Sequence, residues 1–166
     1  MNPFKLAPCF ALTLAACATT PAPAPPARTI VIPAGMERAY DEYHYAPAVR
    51  VGDTVIVSGI PAGRGETYEA KITAMFERLK TVLEASGATL ADVVEITTFH
   101  ADVTDTPSFE AEFVKFLSVH RVYFPEGYPA WTAVGTTALL AEGAPVEMRA
   151  VAVVGAGRAM RVQRSR

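Results

Sequence analysis

The segment from Thr67 to Ser86 constrains the fold most. Ile72, Met75, Phe76, Leu79, Val82 and Leu83 recur at three- and four-residue spacing, which puts one apolar stripe on an otherwise polar helix. Gly87 follows as a C-terminal cap. Such a stripe must be buried against a neighbouring layer, and the surrounding sequence offers strands. Upstream, Arg28 to Pro33 reads as a short strand. Val49 to Val51, Gly52-Asp53 and Thr54 to Gly59 read as a hairpin, with β-branched runs on either side of a turn. Between these, Arg38 to Pro47 fits no period and is expected to be a loop rich in aromatics: Tyr40, Tyr43, His44 and Tyr45.

Downstream, Val93 to Val103 is a strand. Thr106-Pro107 opens a second helix, with Thr106 as the cap, Pro107 at the first helical position, and Glu110 and Glu112 near its positive end. Phe109, Phe113, Phe116 and Leu117 form its stripe, which fades by His120. Two strands close the chain: the run around Trp131, opened by Tyr128-Pro129, and Val146 to Val154. The order is strand, hairpin, helix, strand, helix, strand, strand. It predicts an α+β two-layer domain, a mixed β-sheet with two helices on one face.

That domain is expected over residues 29–155 of the 166, one domain by size, with 51% apolar residues to fill a core. Residues 1–16 have the form of a bacterial lipoprotein signal: a basic start, an apolar run of about eleven residues too short to span a bilayer, and Leu14-Ala15-Ala16-Cys17. Cys17 is the expected lipidation site, and the Pro/Ala-rich residues 17–28 the tether. The implied location is the bacterial cell envelope, at the periplasmic side of the outer membrane, with the membrane as partner through the lipid. After Gly155 comes a basic tail over residues 156–166, bearing Arg158, Arg161, Arg164 and Arg166.

Several chemistries are disfavoured by composition. From Thr29 onward there is no Cys, so no thiol nucleophile, disulfide framework or Cys-bound metal is available there. Three His without Cys are a poor basis for a catalytic metal centre, and no metal or organic cofactor is expected. Gly63-Arg64-Gly65 lacks the Lys-Ser/Thr of a phosphate loop. A net charge of -2, without a basic, aromatic-studded surface, argues against nucleic acid as a partner. The remaining candidates are a large aromatic and a cation on core strands, Trp131 and Arg149. Arg149 is either a two-pronged carboxylate anchor or the ion-pair partner of Glu147 or of an acid from the next subunit. Trp131 either stacks on a planar ligand or packs an interface. His100 is a proton-shuttle candidate because its ordinary pKa lies near working pH, or else a hydrogen-bonded structural His.

Local signatures add a resemblance. Val49 to Gly59 resembles the first hairpin of the RidA/YjgF (Rid) family. So do the helix end Leu83-Glu84-Ala85-Ser86-Gly87-Ala88, the strand start Asp92-Val93-Val94-Glu95 and the final strand Val146 to Val153. Thr98 to Asp102 and Tyr128 to Gly135 resemble the YjgH-like branch. The resemblance implies a chorismate-mutase-like fold and a homotrimer with small-molecule clefts between subunits. It also implies cofactor-free hydrolysis of imines or enamines to keto acids and ammonia.

The catalytic candidates are then Tyr45 and His100, and the substrate-binding ones Arg149, Trp131, Thr132, Ser58 and Gly59. Tyr45, Ser58 and Gly59 match the family pattern. Its substrate-binding Arg falls on Trp131, its Cys on Ala133, its acid on Arg149 and its Asn on Phe113. Two functions are therefore expected in competition: a deaminase-type hydrolase of small C–N metabolites, or a non-catalytic trimer that binds a small molecule or a protein in the same clefts.

Overall fold

A computed structural model describes residues 25–165. The expected signal over 1–16, the lipidation site Cys17 and the tether up to residue 24 lie outside the described residues. The strands are β1 (Arg28–Val31), β2 (Ala48–Val51), β3 (Thr54–Pro61), β4 (Val93–His100), β5 (Ala130–Gly135) and β6 (Val146–Val153). The helices are α1 (Glu37–Asp41), α2 (Tyr68–Ala85) and α3 (Thr106–Tyr123). One six-stranded sheet has the order β1-β2-β3-β6-β4-β5. All neighbours are antiparallel except β4 and β5. That parallel pair needs a crossover, which α3 provides.

Strand parity sorts the sheet into two faces. On β6, Val146, Met148, Ala150 and Ala152 are buried, while Glu147, Arg149, Val151 and Val153 are only partly so. The buried set meets Val55 and Val57 of β3, Ile96 of β4, the whole α2 stripe and Phe116 of α3 in one core. Each fully buried stripe residue contributes about 1.5–3 kcal/mol by leaving water. The other face carries no layer among the described residues. Ile56 there remains 44% exposed in a single chain.

The expected α+β two-layer architecture is therefore present, and four local expectations are corrected. Arg38 to Pro47 is not all loop: Glu37–Asp41 forms a short helix, with Arg38 paired to Glu42 one turn on. The cap of α3 is Asp105, not Thr106. Its carboxylate accepts from Ser108 N at 2.8 Å, an interaction Thr106 inside the helix cannot make. Strand β4 ends at His100 instead of Val103, because Asp102 and Thr104 are exposed and Asp105 begins the cap. Finally, α3 does not lose its apolar face by His120. Val119 and His120 are both buried and the helix runs to Tyr123.

After Gly155 (φ 86) a 3-10 turn, Ala156–Ala159, packs on the turn Leu90–Asp92, with Gly157 N donating to Asp92 Oδ1 at 3.1 Å. Among the described residues no helix is long and apolar enough to cross a membrane.

Candidate functional site

Strand β3 carries an extra residue. Val57 pairs with Ala150 and Ile60 with Met148, so Ser58 and Gly59 together oppose the single Arg149. This is a β-bulge, a device that bends a strand and re-aims its side chains. Ser58 Oγ donates to Ala46 O at 2.7 Å, and Ser58 N donates to Pro47 O at 3.0 Å, which ties the bulge to the loop after α1. His44, with φ 57, turns that loop so that Tyr45 follows. Tyr45, Ser58 and Gly59 thereby line one pocket of about 100 Å³, with Pro61, Arg78 and Val82 on its other walls. Three of the expected site residues are thus brought together.

Gly59 is thin on purpose. A Cβ at this position would collide with the carboxyl of Glu147, which leans over the bulge from β6. Burial raises the pKa of Glu147 above the ordinary carboxyl value. Among the described residues Glu147 has no ion-pair partner. Arg149 does not meet Glu147: its guanidinium turns to Glu95 Oε1 at 3.5 Å, in a pair where both side chains are exposed. Such a pair is worth little, because water screens it.

Trp131 lies elsewhere. It pairs with Ile96, whose side chain faces the helices, whereas Arg149 pairs with Thr97, which faces the open side. The two residues expected to form one pocket are therefore on opposite faces of the sheet. Thr132, next to Trp131, is exposed on the open side. Trp131 stacks on His120 (4.7 Å between ring centres, 13°) and on Phe113 (4.8 Å, 30°). A shallow groove of about 230 Å³ runs past this wall, lined by Phe109, Phe113, Glu110, Thr106 and Ala133.

Behind the wall runs a string of buried hydrogen bonds whose direction is fixed. An indole N–H can only donate, so Trp131 Nε1 donates to Thr98 Oγ1 at 3.0 Å. The Glu112 carboxylate can only accept, so His100 Nδ1 donates to its Oε1 at 3.2 Å, and in the neutral ring Nε2 then accepts from the Thr98 hydroxyl at 2.9 Å. Tyr68 OH donates to the same oxygen at 2.7 Å. Burial, and then the bond to Glu112, push the Tyr68 hydroxyl far above the ordinary tyrosine range.

His100 is fully buried, between Phe109 and Phe116, and does not line the Tyr45 pocket. Glu112 Oε2 and His120 Nε2 are buried without partners. Burial alone holds the His120 pKa below its ordinary value.

Sequence reasoning missed Glu147 as a site residue, having considered it only as a partner for Arg149. It also missed Arg78 and the string through Glu112 and Tyr68. Glu147 had one legible signal: it shares strand parity with Arg149 in an apolar run. The others depend on contacts between α2, α3 and β4 that no local pattern encodes.

With this geometry in place, comparison with known proteins is direct. A family model described as Endoribonuclease L-PSP matches residues 36–154. The RutC family protein YjgH of Escherichia coli K12 is 34% identical over 116 residues, 66% of this chain and 84% of that protein. A Dermatophagoides farinae protein named 2-iminobutanoate/2-iminopropanoate deaminase is 32% identical over 117 residues, 66% of this chain and 85% of that one. In solved form, Rv2704 of Mycobacterium tuberculosis, described as a member of the YjgF/YER057c/UK114 family, superposes with a TM-score of 0.65 at 32% identity. That match covers 77% of this chain and 100% of the other.

Proposed function

The chain belongs to the RidA/YjgF family, whose model carries the description Endoribonuclease L-PSP, and from that premise we propose that it hydrolyses small imines, enamines or related C–N metabolites. The observation that carries this reading is the β3 bulge, where Tyr45, Ser58 and Gly59 meet in one pocket and the raised-pKa carboxyl of Glu147 rests on Gly59. Relatives named 2-iminobutanoate/2-iminopropanoate deaminase support the reaction class.

The chemistry is an addition followed by an elimination. Water adds its oxygen to the C=N carbon and loses a proton, while the nitrogen gains one. The resulting carbinolamine then breaks its C–N bond, forming the carbonyl and releasing ammonia. The protein has to hold the compound, place the water and move protons. Burial raises the pKa of the Glu147 carboxyl, which makes it the candidate proton-transfer group beside Gly59, and Tyr45 is a second polar residue of the pocket lining. Arg149 is the carboxylate anchor expected from the sequence. Its weak, exposed pair with Glu95 leaves it free to exchange partners.

The assembly belongs to the same proposal. A homotrimer would cover the open sheet face, where Ile56 and Val151 meet water in a single chain, and would close the clefts around a small-molecule metabolite. Lipidation at Cys17 would hold the domain at the cell envelope, so the compounds acted on would be periplasmic.

A second reading is favoured by the aromatic wall. Trp131, Phe113 and Ala133 stand where active relatives are expected to carry polar groups, and this suits a trimer that binds a small molecule or protein without turning it over. The two readings are separated by generating imines in place with an amino-acid oxidase and following their loss with the protein, without it, and with Arg149→Ala. Faster loss supports hydrolysis, and its disappearance in Arg149→Ala would assign the anchor there. No acceleration across a broad amino-acid panel would leave binding as the function.

A further inference from the structure

The pocket at the β3 bulge holds a cation that the sequence did not single out. Arg78 is exposed on α2 and lines the pocket together with Tyr45, Ser58 and Gly59. Val82, one turn further along α2, lies beside it, as expected for residues four apart on one helix face. The other arginines around the site each have a partner, although the pairs of Arg38 and Arg149 are exposed and weak. Arg38 pairs with Glu42, Arg50 donates to Gly52 O and Ser86 O, and Arg149 pairs with Glu95. Among the described residues Arg78 has neither an ion pair nor a side-chain hydrogen bond.

An unpaired Arg in the lining of a small pocket favours a carboxylate as ligand. It offers two parallel N–H donors, and the pocket walls reduce the water that competes for them. The opposite wall has the complementary polarity. The one proton on Ser58 Oγ is committed to Ala46 O, so toward the pocket this hydroxyl presents only lone pairs. It can accept an N–H from a ligand but cannot donate to one. A volume of about 100 Å³ suits a small occupant such as a carboxylate on a short chain.

We propose that Arg78 is the carboxylate-binding residue of this pocket, and that it selects small carboxylates with an N–H near the acid group, set between the Arg78 guanidinium and the Ser58 hydroxyl. The assignment rests on the hydrolase reading only for what happens to the compound afterwards. It moves the anchor from the open face of the sheet, where Arg149 stands, to the helix side of the bulge.

The test uses the full chain and two stable probes, alanine and its methyl ester, with binding followed by NMR titration. Wild type should bind the acid saturably and the ester at least tenfold more weakly. Arg78→Ala should lose about tenfold or more in affinity for the acid, the effect of one charge-assisted two-pronged contact. Arg78→Lys should retain part of the affinity, since it keeps the charge and loses the fork. Arg121→Ala, an exposed cation on α3, controls for net charge and should bind as wild type does.

Unchanged binding in Arg78→Ala would overturn the assignment. So would equal binding of acid and ester, absence of saturable binding by wild type, or loss of binding in Arg149→Ala with Arg78→Ala intact. Imine turnover measured on the same proteins separates this inference from the hydrolase reading. Binding that depends on Arg78 without any turnover keeps the anchor and sinks the hydrolase. Turnover at full rate and unchanged KM in Arg78→Ala does the reverse.

Discussion

The aromatic wall around Trp131 and the bulge pocket around Gly59 are built by opposite rules. In the wall, most polar groups are spoken for, with Glu112 Oε2 and His120 Nε2 as the exceptions. Trp131, Thr98, His100, Glu112 and Tyr68 pass hydrogen bonds along a buried line, and the rings of Phe113, Phe116 and His120 fill the space between. At the bulge, the polar groups are held in place but left free: a Tyr, an acceptor-only hydroxyl and an unpaired Arg line the pocket, and the Glu147 carboxyl, its pKa raised by burial, rests against Gly59 outside that lining. A satisfied network rigidifies a protein, whereas free polar groups at a concave surface are available to a ligand. The difference assigns stability to the wall and ligand chemistry to the bulge.

The largest effect should come from cutting the string in the wall. Glu112→Ala removes the acceptor for both the buried His100 Nδ1–H and the partly buried Tyr68 OH, and should cost about 3 kcal/mol in urea unfolding. Glu112→Gln keeps an oxygen for both donors and should cost about 1 kcal/mol. If the two variants unfold alike, the string is not what the wall depends on.

Next in size is Gly59→Ala, where the new Cβ meets the Glu147 carboxyl. A loss of about 1–3 kcal/mol is expected from the forced displacement. Most of it should vanish in an Glu147→Ala background, because that residue supplies the clash. A double-mutant cycle with no coupling would mean that the bulge gives way elsewhere.

A smaller effect is expected from His120. Its folded-state pKa lies below the ordinary value because burial disfavours the charged ring. The unfolded chain therefore binds a proton first as pH falls. Stability is full above about pH 6.5, the ordinary histidine value, and declines below it. Melting temperatures between pH 7.5 and 5 should fall less steeply in His120→Phe. Trp131, the single Trp of the chain, stacks on this ring and offers a second readout through its emission.

The smallest effect belongs to the exposed surface of α1. Arg38→Ala breaks an exposed pair with Glu42 and should leave the melting temperature unchanged, since water already screens that pair.

Most of the fold was legible because its signals are local and periodic. The α2 stripe, the Gly52 turn and the alternation of β6 each follow from near neighbours in sequence. The short helix α1 was not legible, because five residues carry too little pattern to show a period. The Asp105 cap was displaced by one residue from the Thr106 reading, since Thr and Asp both cap well and only the bond to Ser108 N decides between them.

The site was legible in part. Tyr45, Ser58 and Gly59 converge as the family resemblance implied. Trp131 and Arg149 do not, because the direction of Trp131 depends on the register of β5 against β4, which is a non-local fact. Arg78 was invisible for a similar reason. An Arg on the polar side of a helix looks like any solvated residue until the loop after α1 brings Tyr45 and Pro47 into the same pocket.

The assignment of chemistry to the bulge is tested most directly by one rate comparison. Imine loss would be followed for wild type, Glu147→Gln at the bulge and Phe113→Leu at the wall, on the full chain under one set of conditions. The account predicts that Glu147→Gln loses about a hundredfold, the scale of a proton-transfer group, while Phe113→Leu stays within a few-fold of wild type. Full activity in Glu147→Gln together with its loss in Phe113→Leu would contradict the account and place the chemistry at the wall.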